Sequence, residues 1–212
     1  MIKLSKPSKM PCPSWSLQAL DTCPGSVAAN GGLVDACKGC YATDGNYRFS
    51  NVKAPRLHNR EDWKREDWVA DMVEALRGQS YFRWFDSGDM YDYRLARKIL
   101  RVMRETPNTQ HWLPTRMHKF DKFRAVIHRM RALPNVVVRV SSDSVTGKYD
   151  RRMSNTSTII PFADTPTEAT VCPAYSSDGK CGDCRQCWNP NIQAIAYPAH
   201  GRKMAGVIAR AS

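Results

Sequence analysis

Apolar and polar positions repeat with two different periods along the middle of the chain. Apolar residues at helical spacing predict helices over 62–77, which ends at Gly78, and over 92–105 and 118–132. Short runs rich in aromatic and β-branched residues predict strands over 81–85, 110–113 and 135–140. Weaker runs predict further strands at 157–160, 169–171 and 192–197 and one near 15–20, and no helix is predicted over 145–190.

This alternation of strands and helices predicts an α/β fold. Strands joined by helices through short turns form βαβ units, and such units build a parallel sheet. The length of 212 residues suits one domain. We expect an irregular, cysteine-containing N-terminal segment over 1–60, a β/α core over 61–160 and a C-terminal cysteine segment over 161–212.

Each central strand runs into a polar cluster. The clusters are Asp86-Ser87-Gly88-Asp89, Pro114-Thr115-Arg116 and the segment 141–144. Because functional groups of parallel α/β folds lie at the carboxyl ends of strands, we expect all three clusters at one rim. For Asp86 and Asp89, a turn with a helix N-cap is an equally good interpretation.

Four of the eight cysteines lie in a short C-terminal stretch. Cys181, Cys184 and Cys187 form a C-x2-C-x2-C run, and Cys172 precedes a proline. This pattern resembles the cysteine run of bacterial ferredoxins, so we interpret it as an iron–sulfur site, with zinc as the alternative. Four free buried thiols in so short a stretch are the least favoured interpretation.

A second group of cysteines lies in the first forty residues. Cys37 and Cys40 form a C-x2-C pair, and with Cys23 they are predicted to form another metal site; the alternative is a structural set without metal. Three thiolates on a [4Fe-4S] cluster would leave one iron open for a substrate or cofactor. Cys12 is either a fourth ligand or a bystander.

Charge and targeting signals narrow the choice of partners. The formal net charge is +12, and residues 94–131 carry eleven Lys and Arg against two acids. Such a block attracts phosphate backbones, although a solvated helix face is an equal alternative. The chain has no signal-peptide pattern and no apolar run of about 18 residues, so we expect a cytoplasmic protein without a membrane partner. No feature indicates an oligomeric state. The predicted nucleic-acid contacts are Arg97, Arg101, Arg104, Lys122 and Arg129.

Several segments together resemble the phage gene product 88 family. They are the segments 5–17, 37–42, 82–89, 112–116, 138–141 and 172–188, which span nearly the whole chain. The resemblance implies a phage-encoded protein that works in the cytoplasm of the host cell. It implies no particular reaction.

A more distant resemblance connects the chain to radical S-adenosylmethionine enzymes. Cys37 and Cys40 match the second half of their C-x3-C-x2-C motif, but thirteen residues separate Cys23 from Cys37. The resemblance implies a partial (β/α) TIM-like barrel, in which Cys23, Cys37 and Cys40 hold a [4Fe-4S] cluster. It also implies that the C-terminal cysteines hold an auxiliary cluster. The residues implied to hold S-adenosylmethionine are Ser87, Gly88, Asp89 and Arg116.

Two functions of different classes follow. The first is a phage iron–sulfur protein on a radical-SAM-like partial barrel that acts on a nucleic acid or nucleotide, either as an enzyme or with its cofactor chemistry lost. The second is a basic, non-catalytic nucleic-acid-binding protein whose cysteine segments are held by zinc. An iron–sulfur protein would purify brown and a zinc protein colourless.

Overall fold

Seven strands form one sheet in the computed structural model, which describes residues 1–211, and every neighbouring pair of strands is parallel. The strands lie in the order β1-β2-β3-β4-β5-β7-β6. The α/β class and the parallel sheet expected from the sequence are therefore confirmed. The strand bounds are β1 Ser14–Trp15, β2 Tyr81–Trp84, β3 Gln110–Thr115, β4 Val136–Ser141, β5 Thr156–Ile160, β6 Thr170–Val171 and β7 Ala194–Pro198.

Six α-helices accompany the sheet in the described part of the chain. Helices α4 and α5 match the predictions closely, and the only helical segments between residues 145 and 190 are short 3-10 turns, as expected. No helix among residues 1–211 is long and apolar enough to cross a membrane. The helix bounds are α1 Asp35–Lys38, α2 Ser50–Asp62, α3 Trp68–Ala75, α4 Tyr93–Glu105, α5 Asp121–Arg131 and α6 Arg202–Ala211.

The helices differ from the sequence-based expectation at three places. The predicted helix over 62–77 is shorter, and α2 forms over residues that were expected to be irregular. Helix α2 contains Pro55 and buries only Arg56 and Asn59 of its own residues. No apolar periodicity therefore marks this helix in the sequence. Asn59 Nδ2 instead donates to the carbonyls of Lys3 and Ser16 at 3.0 Å each. The third miss is α6, which packs on α1 in a small separate core.

One face of the sheet carries the main hydrophobic core. Strand residues Phe82, Trp84, Leu113 and Val138 are completely buried there, against apolar side chains of α3, α4 and α5. Since side chains alternate across a strand, Arg83, Trp112 and Arg139 point to the opposite face. The three helices therefore leave this second face of the sheet to other parts of the chain.

The C-terminal cysteine segment covers that second face. Trp188 donates its indole N–H to the Phe82 carbonyl at 3.0 Å and packs edge-on against Trp112. Arg139 is fully buried and donates to the carbonyls of Gln186, Cys187, Asn189 and Ile192 at 2.8–3.0 Å. One buried guanidinium thus holds the loop that carries the last three cysteines.

The strand order leaves β1 and β6 as the two edges of the sheet within residues 1–211. The order follows the chain except at β6 and β7, so closure of the sheet into a barrel is not shown. The predicted cysteine-rich segments lie before β2 and after β6, and both lead to the carboxyl edge of the strands.

Buried His111 predicts a pH-dependent stability. Its Nδ1 accepts from the Trp84 indole at 3.2 Å, and its Nε2 lies 2.9 Å from the Thr106 hydroxyl. Burial lowers the pKa of His111 from 6.5 to about 4, so its stabilisation is complete above pH 6.5 and is lost as the pH falls towards 4. We expect the wild type to lose roughly 3 kcal/mol through this group over that range. Urea unfolding of the wild type and His111→Gln should therefore give free energies that converge on acidification; parallel pH profiles would contradict the assignment.

Candidate functional site

A cavity of about 800 Å³ lies at the carboxyl ends of the strands. The strand-end clusters after β2, β3 and β4 all contribute to its wall, as do the loops that follow β1 and β6. Both groups of cysteines also reach it. The predicted site residues that line the cavity are Cys23, Cys37, Cys40, Cys172, Cys181, Cys187, Ser87, Gly88, Asp89 and Arg116.

The N-terminal thiols share one part of this wall. Burial raises the pKa of Cys23 to about 12, and the Asp89 carboxylate and the thiolates of Cys37 and Cys40 raise it further. Burial also raises the pKa of Cys37 and of Cys40, against the attraction of Arg116. The fold therefore brings Cys23 into the electrostatic field of the C-x2-C pair despite their separation in sequence.

Helix α6 and the β3–α5 connection hold this cysteine loop in place. A Cβ on Gly39 would come within 2.6 Å of Met204 Cα in α6, and one on Gly25 within 2.5 Å of Arg116 Cβ. The Ala36 amide donates to the Asp143 carbonyl at 2.9 Å. The loop around the N-terminal thiols is therefore packed closely on its neighbours.

The C-terminal thiols border the cavity from the other side. Cys184 does not reach it, but it joins Cys172, Cys181 and Cys187 around a separate void of about 20 Å³. Burial raises the pKa of Cys187 to about 11, and its Sγ lies 3.4 Å from the Tyr197 hydroxyl, which opposes that rise. Cys12 is buried among Trp112 and Trp188, outside both voids.

The metal prediction gains no support from the side chains as they stand. Among residues 1–211, no group of three or more His, Cys, Asp or Glu residues is arranged to hold a metal ion. All eight cysteines are free thiols. The iron–sulfur and zinc assignments therefore stay predictions.

Asp86 and Ser87 are bound to α2. Arg56 donates through Nη2 to both carboxylate oxygens of Asp86, at 2.8 and 3.1 Å, and through Nε to the Ser87 hydroxyl at 2.6 Å. Ser87 in turn donates to the Leu17 carbonyl at 2.7 Å. Both side chains thus join β1, β2 and α2, and the Ser87 hydroxyl has its protein partners already.

Gly88 adopts a left-handed conformation in a crowded place. Its φ is +79°, and a Cβ there would lie 2.6 Å from Leu17 Cβ and 2.7 Å from Thr22 Oγ1. We expect Gly88→Ala to lower the free energy of unfolding by about 2–4 kcal/mol, because backbone strain and overpacking add. Gly31 has a similar φ of +81° in open space, so Gly31→Ala should lose only about 1 kcal/mol. If chemical denaturation shows the same loss of unfolding free energy in Gly88→Ala and Gly31→Ala, the crowding at Gly88 is contradicted.

Asp89 is a buried carboxyl with three donors. It accepts from the Thr115 hydroxyl at 2.7 Å and from the amides of Met90 and Arg116 at 2.8 Å each. Burial raises its pKa to about 6 although these hydrogen bonds oppose the rise. Asp89 therefore ties β2 to the end of β3 and presents a carboxyl beside Cys23.

Arg116 extends along the same rim. Its guanidinium donates to the Ser142 carbonyl at 2.8 Å and to Asp143 at 3.3 Å. Lys119 binds the same Asp143 carboxylate at 2.6 Å. Arg116 thus joins the ends of β3 and β4 while its charge lies near Cys37 and Cys40.

Comparison with known proteins gives a match to one protein family. A model of the family described as gene product 88 matches residues 2–196. The chain belongs to the gene product 88 family. Neither the curated proteins nor the solved structures contain a match to it. The resemblance to radical S-adenosylmethionine enzymes finds no support in these comparisons.

None of the five predicted nucleic-acid contacts of this gene product 88 family member lines the cavity. The five predicted contacts are exposed on α4 and α5, and Arg101 is paired with Glu105 at 2.6 Å. Arg104 and Arg129 lie in the last turns of their helices, at the edge opposite the cavity, because each helix begins near the strand ends. Other basic residues of the 94–131 block support the fold, such as Lys98, which binds the Trp63 carbonyl at 3.0 Å.

The sequence analysis missed several residues that line or support the cavity of this family member, and the strands supply three of them. Arg83 and Tyr197 line the cavity, and Arg139 holds its C-terminal wall. The alternation Tyr-Phe-Arg-Trp in β2 was the available signal, because Arg83 must face away from the apolar side of a strand. Arg139 gave no comparable signal among the valines of β4.

Proposed function

We propose that the chain is a phage iron–sulfur protein of the host cytoplasm, and that its N-terminal cysteines hold a [4Fe-4S] cluster at the cavity. The observation that carries the proposal is that Cys23, Cys37 and Cys40 border one large cavity together with Asp89 and Arg116. In a [4Fe-4S] cluster each thiolate binds its own iron, so its ligands are spread more widely than those of one ion. That no group among residues 1–211 is arranged to hold a single metal ion is therefore compatible with such a cluster.

A radical S-adenosylmethionine enzyme is the reaction class that this arrangement favours. The mostly sequential strand order and the helices on one face of the sheet favour the partial barrel over a doubly wound sheet, whose strand order reverses. A reduced cluster held by Cys23, Cys37 and Cys40 would supply the electron for reductive cleavage of S-adenosylmethionine and so for hydrogen abstraction from a substrate. In this proposal Asp89 and Arg116 bind the charged amino and carboxylate groups of the cofactor, while Gly88 admits the cofactor closely.

The C-terminal cysteines are proposed to hold an auxiliary centre. Cys172, Cys181, Cys184 and Cys187 border one small void, and Arg139 and Trp188 fix the loop that carries them. This void of about 20 Å³ is also the observation that favours the second candidate, a zinc-stapled nucleic-acid-binding protein. Its nucleic-acid contacts would be those on α4 and α5.

Cleavage of S-adenosylmethionine separates the two candidates. Protein purified without oxygen is mixed with S-adenosylmethionine and dithionite, and methionine and 5′-deoxyadenosine are quantified by mass spectrometry. The proposal predicts both products in equal amounts. Iron-loaded protein that forms neither product would leave an iron–sulfur protein without this chemistry, and colourless zinc protein would favour the second candidate.

A further inference from the structure

Arg83 brings a positive charge into the cavity from the face of the sheet that the helices do not cover. Its strand neighbours Phe82 and Trp84 are fully buried in the core, so the pleat directs Arg83 to the cavity. The guanidinium lies 4.5 Å from the centre of the Trp112 ring, which fixes its plane. Arg83 is thus a positioned cation on the inner wall.

No carboxylate neutralises this charge. Arg83 forms no salt bridge within residues 1–211; its contacts are the Met10 thioether at 3.4 Å, the Trp112 ring and the Tyr41 hydroxyl, all neutral groups. Its Nε is buried without an acceptor. Asp86 contributes to its field, but Arg56 already binds both carboxylate oxygens of Asp86.

The Arg83 side chain is half-buried and its Nε has lost water without gaining an acceptor, which is costly unless a bound anion satisfies the guanidinium. Its planar fork matches carboxylate and phosphate groups, which it binds through two parallel hydrogen bonds. We propose that Arg83 binds the carboxylate or phosphate of a small organic anion that occupies the cavity as substrate. This assignment deepens the proposed function and rests on it for the role of the cavity as the active site.

The wall around Arg83 indicates what the rest of this ligand is like. Tyr47, Tyr41, His200 and Tyr175 form an arc of edge-to-face rings with centroids 5.4–5.7 Å apart. All four rings line the cavity. Such a wall suits a planar or apolar body. The ligand class is therefore an aromatic or similarly flat compound with one anionic end.

The position of Arg83 also places this ligand between the two groups of thiols. Burial raises the pKa of Tyr41, which follows Cys40 directly, and the charge of Arg83 opposes that rise; on the other side it opposes the same effect of burial on Cys181 and Cys187. Arg116, by contrast, acts on Cys37 and Cys40. The two arginines therefore serve separate parts of the cavity, and an anion on Arg83 does not compete with a cofactor at Arg116.

Calorimetric titration of the anaerobically purified full-length protein tests the assignment. The probes are phenyl phosphate and benzoate, which combine a flat body with either anionic group, and benzamide is the uncharged control. We expect at least one anion to bind saturably while benzamide does not. Arg83→Met should weaken that binding by about tenfold or more, because a buried charged hydrogen bond is lost, and Arg83→Lys should weaken it less. Phosphate and carboxylate substrates are distinguished by which probe binds more tightly.

Arg77→Met is the matched control, because it removes an exposed arginine, 79% accessible, at the end of α3. It should leave the affinity unchanged. The proposal is overturned if neither anion binds the wild type, or if Arg83→Met binds as tightly as the wild type. If Arg83→Met does not fold, an affinity in Arg83→Lys equal to that of the wild type also overturns it.

Iron analysis of the same samples separates this assignment from the proposed function. Iron-free protein whose anion binding depends on Arg83 would end the iron–sulfur proposal and keep the anion site. Iron-loaded protein that does not bind the anions would keep the iron–sulfur proposal and end the anion site. If Arg83→Met loses iron but keeps its affinity for the anion, Arg83 neutralises a cluster, and the anion assignment is wrong.

Discussion

Replacing Cys37 by alanine is expected to abolish cleavage of S-adenosylmethionine and to remove about half of the bound iron. Cys37 lies in α1 and borders the cavity, and the proposed N-terminal cluster has only two other thiolates to hold it. A protein with two [4Fe-4S] clusters would fall from about eight to about four iron atoms per chain. Iron assay and mass spectrometry of the two cleavage products measure the two effects on one preparation.

Cys184→Ala is the control for this experiment. Cys184 borders only the small C-terminal void, so its loss should lower the iron content while cleavage continues. Both variants remove one thiol, and thermal unfolding confirms that each is folded. Cleavage that persists in folded Cys37→Ala would contradict the N-terminal assignment, as would a Cys184→Ala variant that alone loses the activity.

Arg139→Met is expected to destabilise the protein by about 3–5 kcal/mol. The guanidinium is fully buried and donates to four carbonyls of the segment 186–192, and methionine removes all four of these hydrogen bonds. The same change should free the C-terminal cysteine loop. In metal-free protein, Ellman's reagent should therefore label the C-terminal thiols faster in the variant, and urea denaturation gives the loss of stability.

Arg152→Met is the matched surface change, since Arg152 is 90% exposed and its only ion pair within residues 1–211 is with Asp150. It should cost well under 1 kcal/mol and leave thiol labelling unchanged. Equal losses in the two variants would show that Arg139 does not hold the loop. If Arg139→Met is destabilised but its thiols are labelled at the wild-type rate, Arg139 stabilises the sheet without holding the cysteine loop.

The central β/α units follow from the sequence because their helices bury apolar stripes against an apolar sheet face. Leu95 and Ile99 in α4 and Phe123 and Ile127 in α5 have this spacing, and all four lie in the main core. Helix α2 lacks the spacing because it is held by Arg56 and Asn59, through polar contacts to partners distant in sequence. Such contacts leave no periodic trace, so α2 could not be predicted.

The rim of the candidate site was also predictable, for a topological reason. Parallel strands end at one edge, so the clusters after β2 and β3 had to meet. The approach of Cys23 to Cys37 depends on loop packing against Arg116 and α6, which a spacing rule does not contain. The two inner arginines differ again: strand alternation indicated Arg83, whereas Arg139 interrupts a run of valines that is apolar on both faces.

The central claim is that the thiols around the cavity hold iron–sulfur clusters. The most direct test is to purify the full chain without oxygen and to measure iron, acid-labile sulfide and zinc per chain. The account predicts about eight iron and eight sulfide, or about four of each if only one group binds a cluster. Protein that contains zinc but neither iron nor sulfide would contradict it.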